Sequence, residues 1–243
     1  MKTRQKERKR YDVKAATNTR AAFLELSPVI RAPYDFYHQM LERYSPSKAV
    51  LELGAGTGVH SHSLGGAEAY VPIDVSRQSL KQLRIDAKHE GLKFYPVQAS
   101  IDDLPIRSES IDLIVSAGSL SYAPHRRTRS EILRVLKRGG SLIVVDSLRS
   151  NLIYDVNRFY HVLNGRRSIR TLVWMPSRRF IRDLSKGFQF SEIRYYGSLM
   201  WVWPLLSFFI RPETFLRLQR RIDNTRLGQV FAFKFVGVFV GKN

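Results

Sequence analysis

Short runs of consecutive apolar residues recur through the middle of the chain, separated by segments whose apolar positions repeat at helical spacing. The runs are KAVLEL (48–53), AYVPID (69–74), LKFYPV (92–97), IDLIVS (111–116) and SLIVVD (141–146). A strand that is apolar at nearly every position is buried on both faces, which implies a parallel sheet covered by helices above and below. The helical segments between the runs are SRQSLKQLRIDAKHE (76–90) and RRTRSEILRVLKRGG (126–140). The second puts Ile132, Leu133, Val135 and Leu136 on one face, and its Gly139–Gly140 pair predicts the helix stop. Residues 20–44 read as helical material interrupted by Pro28 and Pro33. Another helix is expected to begin near Val59.

After residue 146 the rhythm changes. A helix over about 151–164, a basic stretch, a further helix to about 186 and a strand over 188–196 are followed by an aromatic segment, GSLMWVWPLLSFFI (197–210). An Arg-rich helix (212–222) and a long strand (229–242) close the chain. The pattern predicts a doubly wound α/β domain over 46–243 with a mostly parallel sheet. Cap insertions fall at about 151–187 and 197–228, and a basic arm with a helical cap occupies 1–45.

Charge adds a second layer. The 243 residues carry 40 Lys and Arg against 21 Asp and Glu, a net +19. Residues 1–20 contribute +6 and 149–243 contribute +12, whereas 21–148 are close to neutral at +1. The basic flanks should meet something anionic: an acidic or phosphorylated acceptor, a membrane surface, or nucleic acid. The chain has no cysteine, which excludes disulfides, thiolate metal sites and thiol nucleophiles and fits a cytoplasmic setting. No secretory signal is visible at the N-terminus.

The segment VLELGAGTGVHSHSLGGAEAYVPIDVS (50–76) carries the most specific chemistry. Gly54, Gly56 and Gly58 follow a strand ending at Leu53, so backbone amides can turn toward a ligand. Asp74, at the end of the next strand, can accept hydrogen bonds from both hydroxyls of a ribose. A dinucleotide loop reads G-x-G-x-x-G, and Val59 stands where its third glycine would fall. Glu52 also argues against a pyrophosphate, which its carboxylate would repel. Beside S-adenosylmethionine, whose α-amino group and sulfonium are cationic, the same carboxylate is attractive.

VLELGAGTG resembles motif I of the class I S-adenosylmethionine-dependent methyltransferases. YVPIDVS, DDLPIRSESIDLIVS and EILRVLKRGGSLIVVDS are similar to that family's ribose strand, adenine-side loop with strand four, and strand-five signature in the methyltransferase-11-like group. The resemblance implies a seven-stranded sheet with an antiparallel last strand. It also implies cofactor contacts from Glu52, Gly54, Ala55, Gly56 and Gly58 to the methionine part, from Asp74 to the ribose, and from Val75, Ser100, Ile101 and Ser116 around the adenine side. Ser100 stands where the family often has an Asp for the adenine amino group. Tyr11 resembles an aromatic that some relatives fold over the cofactor. The C-terminal half is similar to methyltransferases found among bacterial surface-polysaccharide genes, which would make the acceptor a sugar, phosphorylated or lipid-linked.

Methyl transfer needs in-line alignment of an acceptor and, for a hydroxyl, a base. The acceptor is expected beyond the ends of strands four and five. There Tyr122, His125 and Asp146 lie near a helix face carrying Tyr154, Asn157, Arg158 and His161, with Arg166 and Arg167 beyond it. His161 is the first candidate base and His125 the second; His60 and His62 are read as lining the first helix. No metal-ligand spacing occurs. The sixteen uncharged residues from Tyr195 to Ile210 are read as a lid over the site, with interfacial membrane contact or an oligomer interface as alternatives. The expected function is methylation of an oxygen on a glycan or small-molecule acceptor, in the cytoplasm or at the inner face of its membrane. An RNA-modifying enzyme and a non-catalytic nucleotide-binding scaffold stand as the other readings.

Overall fold

The computed structural model describes residues 20–87, 93–149, 152–164 and 168–243. Seven strands form one sheet: β1 (Ala49–Leu53), β2 (Ala69–Asp74), β3 (Val97–Gln98), β4 (Ile111–Ala117), β5 (Leu136–Ser147), β6 (Phe188–Tyr196) and β7 (Lys234–Lys242). Their order is β3-β2-β1-β4-β5-β7-β6, and β7 alone runs against its neighbours. Each central strand feeds both faces of the sheet, as its unbroken apolar run implies. Leu51, Leu53, Ile114, Leu142 and Val144 join one core with Ile132 and Val135 of α4 (His125–Val135) and Phe180 and Leu184 of α7 (Arg178–Ser185). Val50, Leu113, Val115, Ile143 and Val145 join the other with Tyr37 and Leu41 of α2 (Pro28–Tyr44) and Leu83 of α3 (Arg77–Ala87).

Several boundaries differ from the sequence expectation. Pro28 takes the first turn of α2, where its missing N–H costs nothing, and Ser27 caps that helix through the Val29 amide. Pro33 lies inside α2 and the helix runs through it. No α-helix starts at Val59; the glycine loop leads into a single 3-10 turn, Ser61–Leu64. The helix before β5 stops at Val135, not at the glycine pair. Leu136 already pairs with Ile111, and Ser141 pairs with Leu113, so residues 137–140 bulge out between them. Gly139 has φ 75°, and a Cβ on Gly140 would lie 2.8 Å from the Lys137 carbonyl oxygen. β3 is only two residues long, with Phe94 bridging to Tyr70 ahead of it. The final strand begins at Lys234 because 226–231 fold as a helix, α10 (Arg226–Phe231), capped by Thr225.

The remaining elements sit at the carboxyl edge of the parallel strands. Before α2 comes α1 (Arg20–Leu24); after β5 come α5 (Leu152–Leu163) and α6 (Ile169–Val173). Between β6 and β7 lie α8 (Trp203–Leu206), α9 (Pro212–Asp223) and α10. Tyr196 and Lys234 are register partners, as are Ser147 and Lys234, so the 197–233 connection starts and ends at this edge.

Candidate functional site

A cavity of about 390 Å³ opens at the carboxyl edge, lined from the glycine loop across to the first residue of β7. Its loop side is built by backbone geometry that only glycine adopts without strain. Gly54, Gly56 and Gly58 have φ of 66°, 56° and 77°. A Cβ on Gly54 would stand 2.4 Å from the Ser119 Cβ, and one on Gly58 2.1 Å from Leu83 Cδ1. The first glycine thus lets β1 turn against the segment after β4, and the third lets α3 pack beneath the loop.

Two carboxylates face this side. Asp74 accepts from the Gly56 amide at 2.9 Å and the Ser76 amide at 2.8 Å, fixing the loop against the end of β2. Glu52 is buried and accepts a hydrogen bond from the Tyr70 hydroxyl. Burial raises its carboxyl from 4.5 to about 7; the Tyr70 hydrogen bond opposes that rise and the Asp74 charge adds to it. A buried carboxyl held near neutrality suits a cationic partner that would restore its charge. Val75, Ser100 and Ile101 continue the wall, and Ser100 donates to Asp102. With Ala55 and Gly56 they fit the S-adenosylmethionine contacts implied by motif I. Gly58 and Ser116 act behind the wall, Ser116 through a 2.7 Å bond to Ser119.

The opposite side is formed by Phe23, Leu26, Ile30, Tyr34, His60 and Lys234, with Tyr122 on its flank. The Lys234 ammonium donates to the Tyr34 hydroxyl at 3.0 Å and lies 4.8 Å from that ring's centroid. The Tyr34 and His60 rings stack with centroids 5.2 Å apart and planes within 7°. His60 Nδ1 and His38 Nε2 share a hydrogen bond of 2.8 Å. Burial, and then the neighbouring His38, His62 and Lys234, hold His60 well below the usual imidazole range; burial lowers His38 to about 4. Both rings are therefore neutral at pH 7. In the tautomer where His60 Nδ1 donates to His38, His60 Nε2 is an acceptor.

Other residues singled out from sequence lie elsewhere. His125 contacts the Trp174 carbonyl, stacks on Phe180 at 4.1 Å and lines a separate surface pocket with Arg129 and Arg179. His161 and Arg158 do not line the cavity; Arg158 is buried, bonding the Leu148 carbonyl at 3.2 Å and Asp155 at 3.0 Å. Tyr154 stacks on Phe233 at 4.7 Å, and burial pushes its hydroxyl upward. Asp146 is buried behind the site, where it accepts from the Leu120 amide at 2.9 Å and so holds the turn that carries Tyr122. Burial raises its carboxyl to about 6, with Lys234 opposing. Tyr11, Arg166, Arg167 and the Asn157 side chain fall outside the described residues. No residue of 195–210, the segment read as a lid, lines the cavity. Sequence reasoning set His60 aside and overlooked Tyr34 and Lys234; the single signal was that His60 follows the glycine loop.

Residues 51–144 match the family model described as a methyltransferase domain. The chain is similar to the uncharacterized methyltransferase YodH of Bacillus subtilis, 33% identical over 104 residues, which are 42% of this chain and 45% of that protein. It is 28% identical over 128 residues to the ubiquinone/menaquinone biosynthesis C-methyltransferase UbiE of Wigglesworthia glossinidia brevipalpis, covering 48% of this chain and 51% of that one. The chain thus spans about half the length of these curated relatives. Among solved structures, Haemonchus contortus phosphoethanolamine N-methyltransferase 2, in complex with phosphomonomethylethanolamine and S-adenosylhomocysteine, shares the fold. Its TM-score is 0.60 at 15% identity, covering 86% of this chain and 53% of that one.

Proposed function

We propose that the chain, whose residues 51–144 match a methyltransferase domain, is a class I, S-adenosylmethionine-dependent enzyme that methylates an oxygen of a small-molecule or glycan acceptor. One observation carries this reading. A single cavity joins two carboxylates suited to the cofactor, Glu52 and Asp74, to a cation and a neutral imidazole, Lys234 and His60. The fold neighbour solved with S-adenosylhomocysteine supports the cofactor half.

S-adenosylmethionine, held by Glu52, Asp74 and the glycine loop, would supply an electrophilic methyl group to the acceptor oxygen and leave as S-adenosylhomocysteine. The chain's own residues bring the oxygen to that methyl and remove its proton. Lys234 and Tyr34 offer a cation and a hydroxyl to an oxygen carrying developing negative charge. His60, neutral and supported through Nδ1 by His38, takes the acceptor's proton on Nε2. The apolar residues Phe23, Leu26 and Ile30 exclude water and accommodate the acceptor's body.

Calorimetric titration with S-adenosylhomocysteine, with NAD as comparison, tests the first half. Binding of the former and none of the latter is expected; no binding of S-adenosylhomocysteine overturns the reading. The second half is tested with His60→Gln and Lys234→Met. Both should keep wild-type affinity for S-adenosylhomocysteine and lose methyl transfer to any acceptor found with the wild type. Full activity in both removes the assigned roles.

A further inference from the structure

The apolar surface left by this fold is concentrated at one edge. Of the twenty large apolar residues that remain exposed among the described ones, seventeen lie in three segments, 20–31, 152–173 and 200–231. All three sit at the carboxyl edge, where the cavity opens and where Leu26 and Ile30 of the first segment line it. Phe208 and Phe209 are 83% and 86% exposed, and Leu205, Leu163 and Leu227 are 70%, 70% and 69% exposed. Side chains of this size so fully in water are costly, and gathered on one edge they mark an interaction face.

Charge says what the face meets. Between β6 and β7 the exposed residues include Arg211, Arg217, Arg220, Arg221 and Arg226, against the single exposed acid Glu213. The other acid, Asp223, is buried and accepts from the Gly197 and Ser198 amides at 3.0 and 2.9 Å. Aromatic and aliphatic tips beside arginines match the boundary between headgroups and acyl chains of an anionic bilayer. Among the described residues no helix is long and apolar enough to cross a membrane. The aromatic tips are displayed on short elements, α8 and the turn after it, that would enter only the interface.

We propose that the carboxyl edge docks on an anionic lipid surface through Phe208, Phe209 and Leu205, with the α9 arginines on the headgroups. Docked in this way, the cavity mouth faces the bilayer, so an acceptor carried on a lipid reaches Tyr34 and Lys234 from the membrane side. That last clause rests on the methyltransferase reading; the docking itself does not.

The test is flotation of the full chain with vesicles of phosphatidylcholine alone and of phosphatidylcholine with phosphatidylglycerol. The protein should float with the anionic vesicles and be released by salt. Phe208→Ser with Phe209→Ser should weaken binding at least about tenfold, and Arg217→Glu with Arg221→Glu should abolish the preference for anionic lipid. Both variants should keep wild-type affinity for S-adenosylhomocysteine, since none of these four residues lines the cavity. Failure to float with either vesicle overturns the proposal. So does light scattering that shows a dimer dissociated by the phenylalanine changes, or retention of homopolymeric RNA without vesicle binding. Loss of S-adenosylhomocysteine binding by the wild type, with flotation intact, would remove the methyltransferase reading and leave the docking surface standing.

Discussion

Titrating the protein with S-adenosylhomocysteine across neutral pH tests the electrostatics of the cofactor site at one atom group. Burial raises the Glu52 carboxyl from 4.5 to about 7 in the ligand-free protein. A cation seated against it binds the ionised form, so the apparent dissociation constant scales as one plus the ratio of protonated to ionised Glu52. With a pKa of about 7, that factor is roughly 11 at about pH 6, roughly 2 at about pH 7 and close to 1 at about pH 8. Affinity should therefore rise about tenfold over the window, and binding should release roughly half a proton at about pH 7. Calorimetry in buffers of different ionisation enthalpy measures both quantities.

The same group sets a stability trend of definite sign. A folded-state pKa above the unfolded value means that the native protein holds a proton the unfolded chain has already lost between 4.5 and about 7. Stability therefore falls as pH rises through that window, and a bound cation offsets the loss. S-adenosylhomocysteine should accordingly raise Tm more at about pH 8 than at about pH 6. Glu52→Gln should bind more weakly at the upper pH and lose the dependence, which separates Glu52 from Asp146, whose carboxyl is raised to about 6 but lies behind the cavity. A dissociation constant flat within about twofold over the window, with heats independent of buffer, would refute the reasoning.

Asp74→Ala should weaken S-adenosylhomocysteine binding by about a hundredfold or more, because hydrogen bonds to a charged group are worth about 1.5–3 kcal/mol each; unchanged affinity with a retained circular dichroism spectrum would remove the ribose assignment. Gly54→Ala forces a side chain into a left-handed backbone 2.4 Å from the Ser119 Cβ. It should cost about 1–3 kcal/mol in denaturant unfolding and impair cofactor binding, and a variant as stable as wild type would show that the loop relaxes. Phe215, fully buried in α9 with its ring 4.8 Å from that of Trp203, should cost about 3–5 kcal/mol when changed to Ala. Thermal melts should show that loss, and a negligible shift would mean that α9 contributes little to the stability of the carboxyl edge.

The nearly continuous apolar runs located β1, β2 and β4 closely, since a strand buried on both faces leaves few polar positions to blur the signal. In sequence the bulge at 137–140 reads as a helix end, because a glycine pair after a helical face serves either purpose, and only pairing of Leu136 with Ile111 chooses between them. The 229–233 stretch is apolar enough for strand, but Thr225 caps the Gly228 amide and 229–231 become the end of α10.

The sequence alone determined the sheet, the glycine loop and the charge logic of Glu52 and Asp74, because those depend on local spacing and on the sign of a charge close to the loop. Only the tertiary structure decided the far side of the cavity. Tyr34 and Lys234 are 200 residues apart and meet because α2 packs over the sheet where β7 begins. His60 joins them by stacking on Tyr34. His125, after strand four, and His161, on the helix after strand five, carried the right chemistry, yet neither lines the cavity, and His125 is held to the Trp174 carbonyl. Local pattern fixes which face a side chain takes on its own element, and the meeting of distant elements decides what that face touches.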